Sequence, residues 1–404
     1  MTQRVYLDHA ATTPLSAEVR QAMQEAFGLF GNASSFHAEG RQAGAAIEQA
    51  RANVAAAVGA ELGEIIFTSG GSEANNTVLQ SLREFQGDSL ESELIVSAIE
   101  HPSVLMAAKR LQKRGTKVHY LPVDRLGQVK LSELKKVLGG KTALVSAMMA
   151  NNEIGTVQNI AEITRLTHTA GALVHTDAVQ ALGKIPINVH ELGVDYATFS
   201  AHKIGGPKGV GALYVRNAAP FTPLIVGGHQ EGNRRAGTEN TLGIVGFGAA
   251  AKQVPRFINQ MAKTKVLRDD FFVQISIKIP QIVRNGDPDG LPNILNISFA
   301  GAEGESILLA LDDDGIAVST GSACASGDTS PSHVLMAIQA DPELAHGSIR
   351  FSFGPDNTAE DTERVMQALP GIIEKLRAMS TVHSTPHSTP LDTKRIMKTG
   401  REVR

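Results

Sequence analysis

The chain has a single cysteine, Cys324, among 404 residues. No internal disulfide can form, which suits a reducing compartment. Charge of either sign is not in excess: the formal net charge is -3, so neither a polyanion nor a membrane surface is favoured as the main partner. No direct nucleic-acid binding is expected. No apolar run approaches the roughly 20 residues needed to span a bilayer. Residues 1–14 lack a basic segment followed by an apolar stretch, the pattern of a secretory signal. The expectation is a soluble cytoplasmic protein. What is present is an ordinary globular composition, 42% hydrophobic and 20% charged, in a chain long enough for two domains.

Short apolar runs alternate with helix-patterned segments over the first half. The runs are residues 64–68, 93–98, 117–121, 143–147, 172–176, 196–200 and 211–215, and stretches such as 103–113 and 160–169 lie between them. Strands separated by helices imply right-handed crossovers and a mostly parallel sheet covered on both faces. The glycine-rich turn at 205–209 sits between the last two runs and suits an antiparallel pairing there. Beyond a Gly-rich loop at 227–237 the pattern is helical to about 275. Strands are then expected at 293–299, 316–319 and 348–353, with helices at 303–311 and 359–379. The fold class is therefore α/β, a large domain with a mostly parallel seven-stranded sheet flanked by helices, plus a smaller α+β domain. The expected divisions are an arm at 1–15, the large domain at 16–258, the small domain carrying the cysteine at 259–379 and a disordered tail at 380–404. That tail repeats His-Ser-Thr-Pro and has little apolar content.

Chemistry concentrates where the strands end. Ser200-Ala201-His202-Lys203 follows the run at 196–200. A lysine amine that can lose its proton forms a Schiff base with an aldehyde, and Ser200 and His202 can donate to a phosphate on the same ligand. A solvated loop lysine is the commoner case for such a residue taken alone. Its company argues otherwise. Asp177 ends the run at 172–176, with Gln180 three residues on. An acid at the carboxyl end of a parallel strand points into the ligand crevice of an open sheet. There it can keep the pyridine nitrogen of pyridoxal phosphate protonated; a helix cap is the alternative. The turn Thr68-Ser69-Gly70-Gly71-Ser72-Glu73 joins a strand to a helix, a place where free N–H groups and the helix dipole cradle phosphate. His101-Pro102 and Asn151-Asn152 also stand at strand ends, with proline suited to a first helical turn. Cys324 lies among small polar residues, Thr320 to Asp328, where a flexible loop can carry a thiol to and from the crevice. In Ser348-Ile349-Arg350-Phe351-Ser352-Phe353, alternation puts Arg350 on the face opposite the apolar residues. It is either a carboxylate-gripping arginine or a solvent-facing one.

Together these residues resemble the class V aminotransferase group of pyridoxal-phosphate enzymes, and within it the cysteine desulfurases. The resemblance runs from Tyr6-Leu7-Asp8-His9-Ala10-Ala11-Thr12-Thr13-Pro14 to Arg350-Phe351-Ser352. It passes through Gly31-Asn32-Ala33-Ser34-Ser35-Phe36-His37, Asn151-Asn152-Glu153-Ile154-Gly155, His175-Thr176-Asp177-Ala178-Val179-Gln180, Arg235-Ala236-Gly237-Thr238 and Gly321-Ser322-Ala323-Cys324. The longer cysteine loop is similar to that of the housekeeping subgroup, which serves iron–sulfur cluster assembly and transfer-RNA thiolation.

The resemblance implies pyridoxal 5'-phosphate as cofactor and L-cysteine as substrate, with no metal. It implies Lys203 as the Schiff-base lysine, His101 as the group stacked on the ring, Asp177 on the pyridine nitrogen and Gln180 on the ring hydroxyl. Gly71, Ser72, Ser200 and His202 would hold the phosphate, with Thr238 reaching the phosphate of the other subunit of a homodimer. Asn152 and Arg350 would position the substrate carboxylate, and Cys324 would take the sulfur as a persulfide for an acceptor such as an iron–sulfur scaffold protein. Three features depart from the pattern: Ala33 where proline is usual, Thr320 where serine is commoner, and a tail unlike the family's carboxyl terminus. An aminotransferase does not need Cys324, a selenocysteine lyase can use it, and a non-catalytic binding module does not need Lys203, Asp177, His101 and Cys324 all together.

Overall fold

The computed structural model describes residues 4–85, 92–320 and 331–379. The Cys324 loop and the tail expected at 380–404 lie outside the described residues. In chain order the strands are β1 (Val5–Tyr6), β2 (Ile65–Thr68), β3 (Glu93–Ser97), β4 (Lys117–Leu121), β5 (Thr142–Ser146), β6 (Leu173–Asp177), β7 (Tyr196–Ser200), β8 (Gly211–Val215), β9 (Ile282–Asn285), β10 (Ile294–Phe299), β11 (Ile316–Ala317) and β12 (Ser348–Ser352).

The main sheet has seven strands in the order β2-β8-β7-β6-β5-β3-β4. Strands β4, β3, β5, β6 and β7 run parallel to one another. Only β8 runs against the rest, pairing antiparallel with both β7 and β2. The turn between β7 and β8 allows this reversal, because Gly205 and Gly209 take φ of 77°, open to glycine at little cost. The inner strands are buried because both faces are covered. Ile66, Leu94, Val96, Leu144 and Leu213 pack toward helices Gly71–Phe85 and Pro102–Lys113. Their alternates Phe67, Ile95, Val145, Phe199 and Tyr214 face helices Ala38–Val58 and Thr241–Ala251. Period-two alternation thus supplies two cores from one sheet.

A second, antiparallel sheet orders β12-β10-β9. Ile349 and Phe351 of β12, with Phe353 just beyond it, face a separate cluster that holds Phe271 and Ile275 of helix Val254–Lys278 and Val365 and Leu369 of helix Ala359–Met379. Val5 and Leu7 belong to the same cluster, and β1 pairs with β11, so the start of the chain crosses to this second layer. β1 and β9 are not apparent in the sequence pattern. β1 is two residues long, and β9 is a four-residue edge strand containing Arg284 and Asn285. No helix among the described residues is long and apolar enough to cross a membrane.

Phe351 is fully buried and its ring stands edge-on to Phe271 at 5.2 Å. Phe351→Ala is expected to cost about 3–5 kcal/mol of stability, visible as a lowered urea midpoint by far-ultraviolet circular dichroism.

Candidate active site

Parallel strands end at a common edge, and the turns that follow β3, β5, β6 and β7 open on one cavity of about 330 Å³. Ten of the expected residues line it: Gly71, Ser72, His101, Asn152, Asp177, Gln180, Ser200, His202, Lys203 and Arg350. Thr238 instead lines a neighbouring cavity with Ser69, Gly209 and Arg235, and Cys324 lies outside the described residues. An opening lined by Ser69, Gly71, Ser72, Ser200, His202 and Gly209 lies between the two cavities and shares residues with each.

Lys203 stands on the short 3-10 turn Ala201–Lys203 directly after β7. Its Nζ donates to the carbonyls of Ala10 and Ala11 at 2.6 and 2.7 Å. Gln180 Nε2 donates to the same Ala10 carbonyl at 2.9 Å. Asp177, the last residue of β6, is 5% exposed. Its Oδ1 accepts from Val179 N at 3.0 Å and its Oδ2 from Asn75 Nδ2 at 2.7 Å. Asn75 Nδ2 also donates to Ser103 Oγ at 2.8 Å, and Ser103 Oγ is 2.8 Å from His101 Nδ1. A chain of hydrogen bonds therefore ties the carboxylate to the imidazole. His101 caps helix Pro102–Lys113, its Nδ1 accepting from Ser103 N at 3.1 Å. An Nδ1 that accepts leaves the proton of the neutral ring on Nε2. Burial holds His101 below the ordinary histidine range; nearby Asp177 opposes the shift, and Lys203 and His333 add to it.

The other end of the cavity is suited to an anion. Gly71 and Ser72 begin the helix Gly71–Phe85, whose amino end carries unpaired N–H groups and the positive end of the dipole. A Cβ on Gly71 would lie 2.9 Å from Val179 Cγ2, so the close packing of this helix on the turn after Asp177 requires glycine. Ser200 and His202 complete the cradle. His202 Nδ1 is 3.2 Å from Thr12 Oγ1, and burial with Lys203, Lys208 and Lys184 nearby pushes its pKa down to about 4. A ring held neutral keeps an N–H for donation without adding a charge.

Arg350 is not a solvent-facing arginine: it is 3% exposed. Nη1 donates to the Asn152 carbonyl at 2.9 Å and Nη2 to Asp8 Oδ1 at 2.8 Å. Its buried Nε has no partner among the described residues. An orphaned guanidinium N–H beside a cavity suits an acceptor brought by a ligand. Asn75, Ser103 and Met148 also line the cavity, and the sequence reading missed them. For Asn75 a signal existed, since it lies three residues beyond Ser72 on the same helix face.

The aminotransferase class-V family model matches residues 5–365. A cysteine desulfurase IscS of Dictyoglomus turgidum is 49% identical over 383 residues, covering 94% of this chain and 97% of that protein. A cysteine desulfurase of Gluconacetobacter diazotrophicus is 46% identical over 381 residues, with 93% and 95% covered. Among solved structures, a NifS-like protein superposes with a TM-score of 0.84 at 37% identity, covering 93% of this chain and 99% of that one. The NifS-like protein of Rickettsia africae gives 0.82 at 34% identity, with 92% and 100% covered. The chain belongs to the aminotransferase class-V family, and within it to the cysteine desulfurases.

Proposed function

We propose that this protein converts L-cysteine to L-alanine and passes the sulfur, held as a persulfide on Cys324, to an acceptor protein. The observation that carries the reading is the convergence of Lys203, Asp177 and His101 on one cavity in a chain so similar to cysteine desulfurases.

The cofactor is pyridoxal 5'-phosphate, and the residues present fit it. Gly71, Ser72, Ser200 and His202 would hold the phosphate, Asp177 the ring nitrogen, Gln180 the ring hydroxyl, and Lys203 the aldehyde carbon. When bound, the cofactor supplies an electron-accepting ring that stabilises negative charge on an amino acid α-carbon. Asp177 serves this by remaining an acceptor, its geometry set by Asn75 and Val179. Lys203 Nζ would be the base for the α-proton. His101, neutral with its proton on Nε2, would face the cofactor ring and relay protons. Arg350 and Asn152 orient the substrate carboxylate, with the Arg350 Nε–H available to it.

Cys324 is the sulfur acceptor. The Cβ–S bond of the substrate breaks, an S–S bond forms on Cys324, and one proton is delivered to Cβ of the product alanine. Chain geometry permits the encounter. Five residues separate Cys324 from Ser319, which is paired with Arg350, and at about 3.6 Å per residue the reach is about 18 Å.

A homodimer is part of the reading. Thr238 lies outside the cavity of its own chain, and Leu224, Ile225 and Val226 in the preceding loop are exposed, as are Phe27, Phe30 and Phe36. Large apolar groups left in water mark a contact surface. The acceptor is an iron–sulfur scaffold or a transfer-RNA thiolation protein, and the cytoplasm is the reducing compartment such a carrier needs.

Incubating the cofactor-loaded protein with cysteine and a thiol reductant is expected to yield sulfide and alanine in equal amounts. Cys324→Ser should retain the cofactor's visible absorbance and lose alanine release, whereas Lys203→Ala should lose both that absorbance band and the activity. Alanine formed by Cys324→Ser at the original rate would exclude the assigned acceptor. Because His101 sits below its ordinary value of 6.5, it is uncharged at neutral pH. The acid limb of the pH profile for alanine formation is then expected below pH 6.5, and His101→Gln should remove that limb. Light scattering should give about twice the chain mass of 42.8 kDa; a value near one chain mass would rule out the dimer.

A further inference from the structure

The segment that carries Cys324 re-enters the described structure at Pro331, and the residues that follow are held in an unusual way. Ser332 is 5% exposed, and its Oγ donates to Glu153 Oε2 at 2.5 Å. The same oxygen accepts from Val334 N and Leu335 N at 3.1 and 3.3 Å, capping the helix His333–Ala337. His333 Nε2 donates to the main-chain carbonyl of Glu100 at 3.0 Å.

The partners matter because of what stands next to them. Glu100 immediately precedes His101, and Glu153 immediately follows Asn152. Both acids are buried, at 0% and 5% exposure. Glu100 Oε1 accepts from Ser97 Oγ and Met148 N, each at 2.6 Å, so it joins the end of β3 to the turn after β5. Glu153 N donates to Asn151 Oδ1 at 2.8 Å, and the Glu153 carbonyl accepts from Asn296 Nδ2 at 3.2 Å. Burial raises the pKa of both carboxyls, Glu100 to about 8, as befits groups kept for hydrogen bonding and not for surface charge. On the amino-terminal side, Ser319 exchanges main-chain hydrogen bonds with Arg350. Both flanks of the cysteine segment are therefore bonded to residues that line the cavity or adjoin those that do.

We propose that Glu153, Ser332, His333 and the Glu100 carbonyl form a clasp that fixes the carboxyl-terminal flank of the Cys324 segment to the turns carrying His101 and Asn152. They are positioning residues for the sulfur-transfer step. The inference rests on the desulfurase reading. The clasp leaves cofactor binding and α-proton removal alone, because neither Ser332 nor Glu153 lines the cavity. Its effect falls on the one step that needs the Cys324 thiol at the substrate sulfur, where a small misplacement is costly in rate.

The test compares Glu153→Ala and Ser332→Ala with the conservative Glu153→Gln and Ser332→Thr, in the cofactor-loaded protein. Gln keeps an acceptor oxygen for Ser332, and Thr keeps the hydroxyl and the cap. Two rates are read by rapid mixing: the absorbance change on adding cysteine, which precedes sulfur transfer, and the first turnover of alanine, which requires it. The alanine variants are expected to slow alanine formation about tenfold with the absorbance change within twofold of the parent, and the conservative variants to restore it. The double variant Glu153→Ala with Ser332→Ala should be no slower than the worse single one, as for two ends of one contact. Equal slowing of both rates, or alanine formation unchanged in both alanine variants, would overturn the clasp. Failure of the parent protein itself to form alanine would instead refute the desulfurase reading, which keeps the two failures distinct.

Discussion

Four parallel strands, β3, β5, β6 and β7, finish at the same edge of one sheet, and the cavity is hung from that edge. Their direction is the constraint on everything else. Because the four run in one direction, their carboxyl ends share one side, and each delivers its turn there: β3, β5 and β6 are left by crossovers, and β7 by the reversal into β8. His101, Met148 with Asn152, Asp177 with Gln180, and Ser200 to Lys203 come together for this reason. The reversal at β8 closes the group, and the sheet's far strand β2 supplies the turn that starts helix Gly71–Phe85.

Within the cavity, charge is disposed by what each group can bond. At one end lies an anionic carboxylate, Asp177, held by Asn75 and the Val179 amide. At the other lies a helix start with small and hydroxylated residues, matched to a dianion. Lys203 lines the same cavity, its Nζ donating to two main-chain carbonyls of the Ala10–Ala11 segment. Those carbonyls come from the first residues of the chain, which is why an amino-terminal segment so far away in sequence belongs to the site.

The second sheet contributes differently. β12 gives its apolar face to its own core and presents Arg350 to the cavity from the opposite face. Period-two alternation makes one five-residue strand both a core element and a wall of the site. The Asp8–Ser352 bridge and the Arg350–Asp8 ion pair then join this wall to the amino-terminal segment. Through Ser332 and Glu153 the same region reaches the turn after β5, so both layers meet around one cavity.

The strands of the main sheet were legible in the sequence to within a residue or two, because each is a short, mostly apolar run bounded by turn residues. The strand-end motifs were legible for the same reason: a chemically distinctive residue placed just after such a run faces the crevice whatever else the chain does. Local pattern carried nothing about edge strands β1 and β9, whose pairing depends on partners hundreds and tens of residues away. Nor did it reveal that Arg350 is buried, since an alternating strand assigns a residue to a face without saying what covers that face. Asn75 and Ser103 are ordinary polar residues in helix starts, and only their neighbours across the fold make them part of the site. Local composition and periodicity thus determined the elements and which side chains stand at the strand ends. Tertiary structure decided their bonding partners, because hydrogen bonds and burial depend on distances that the chain acquires only when its layers pack.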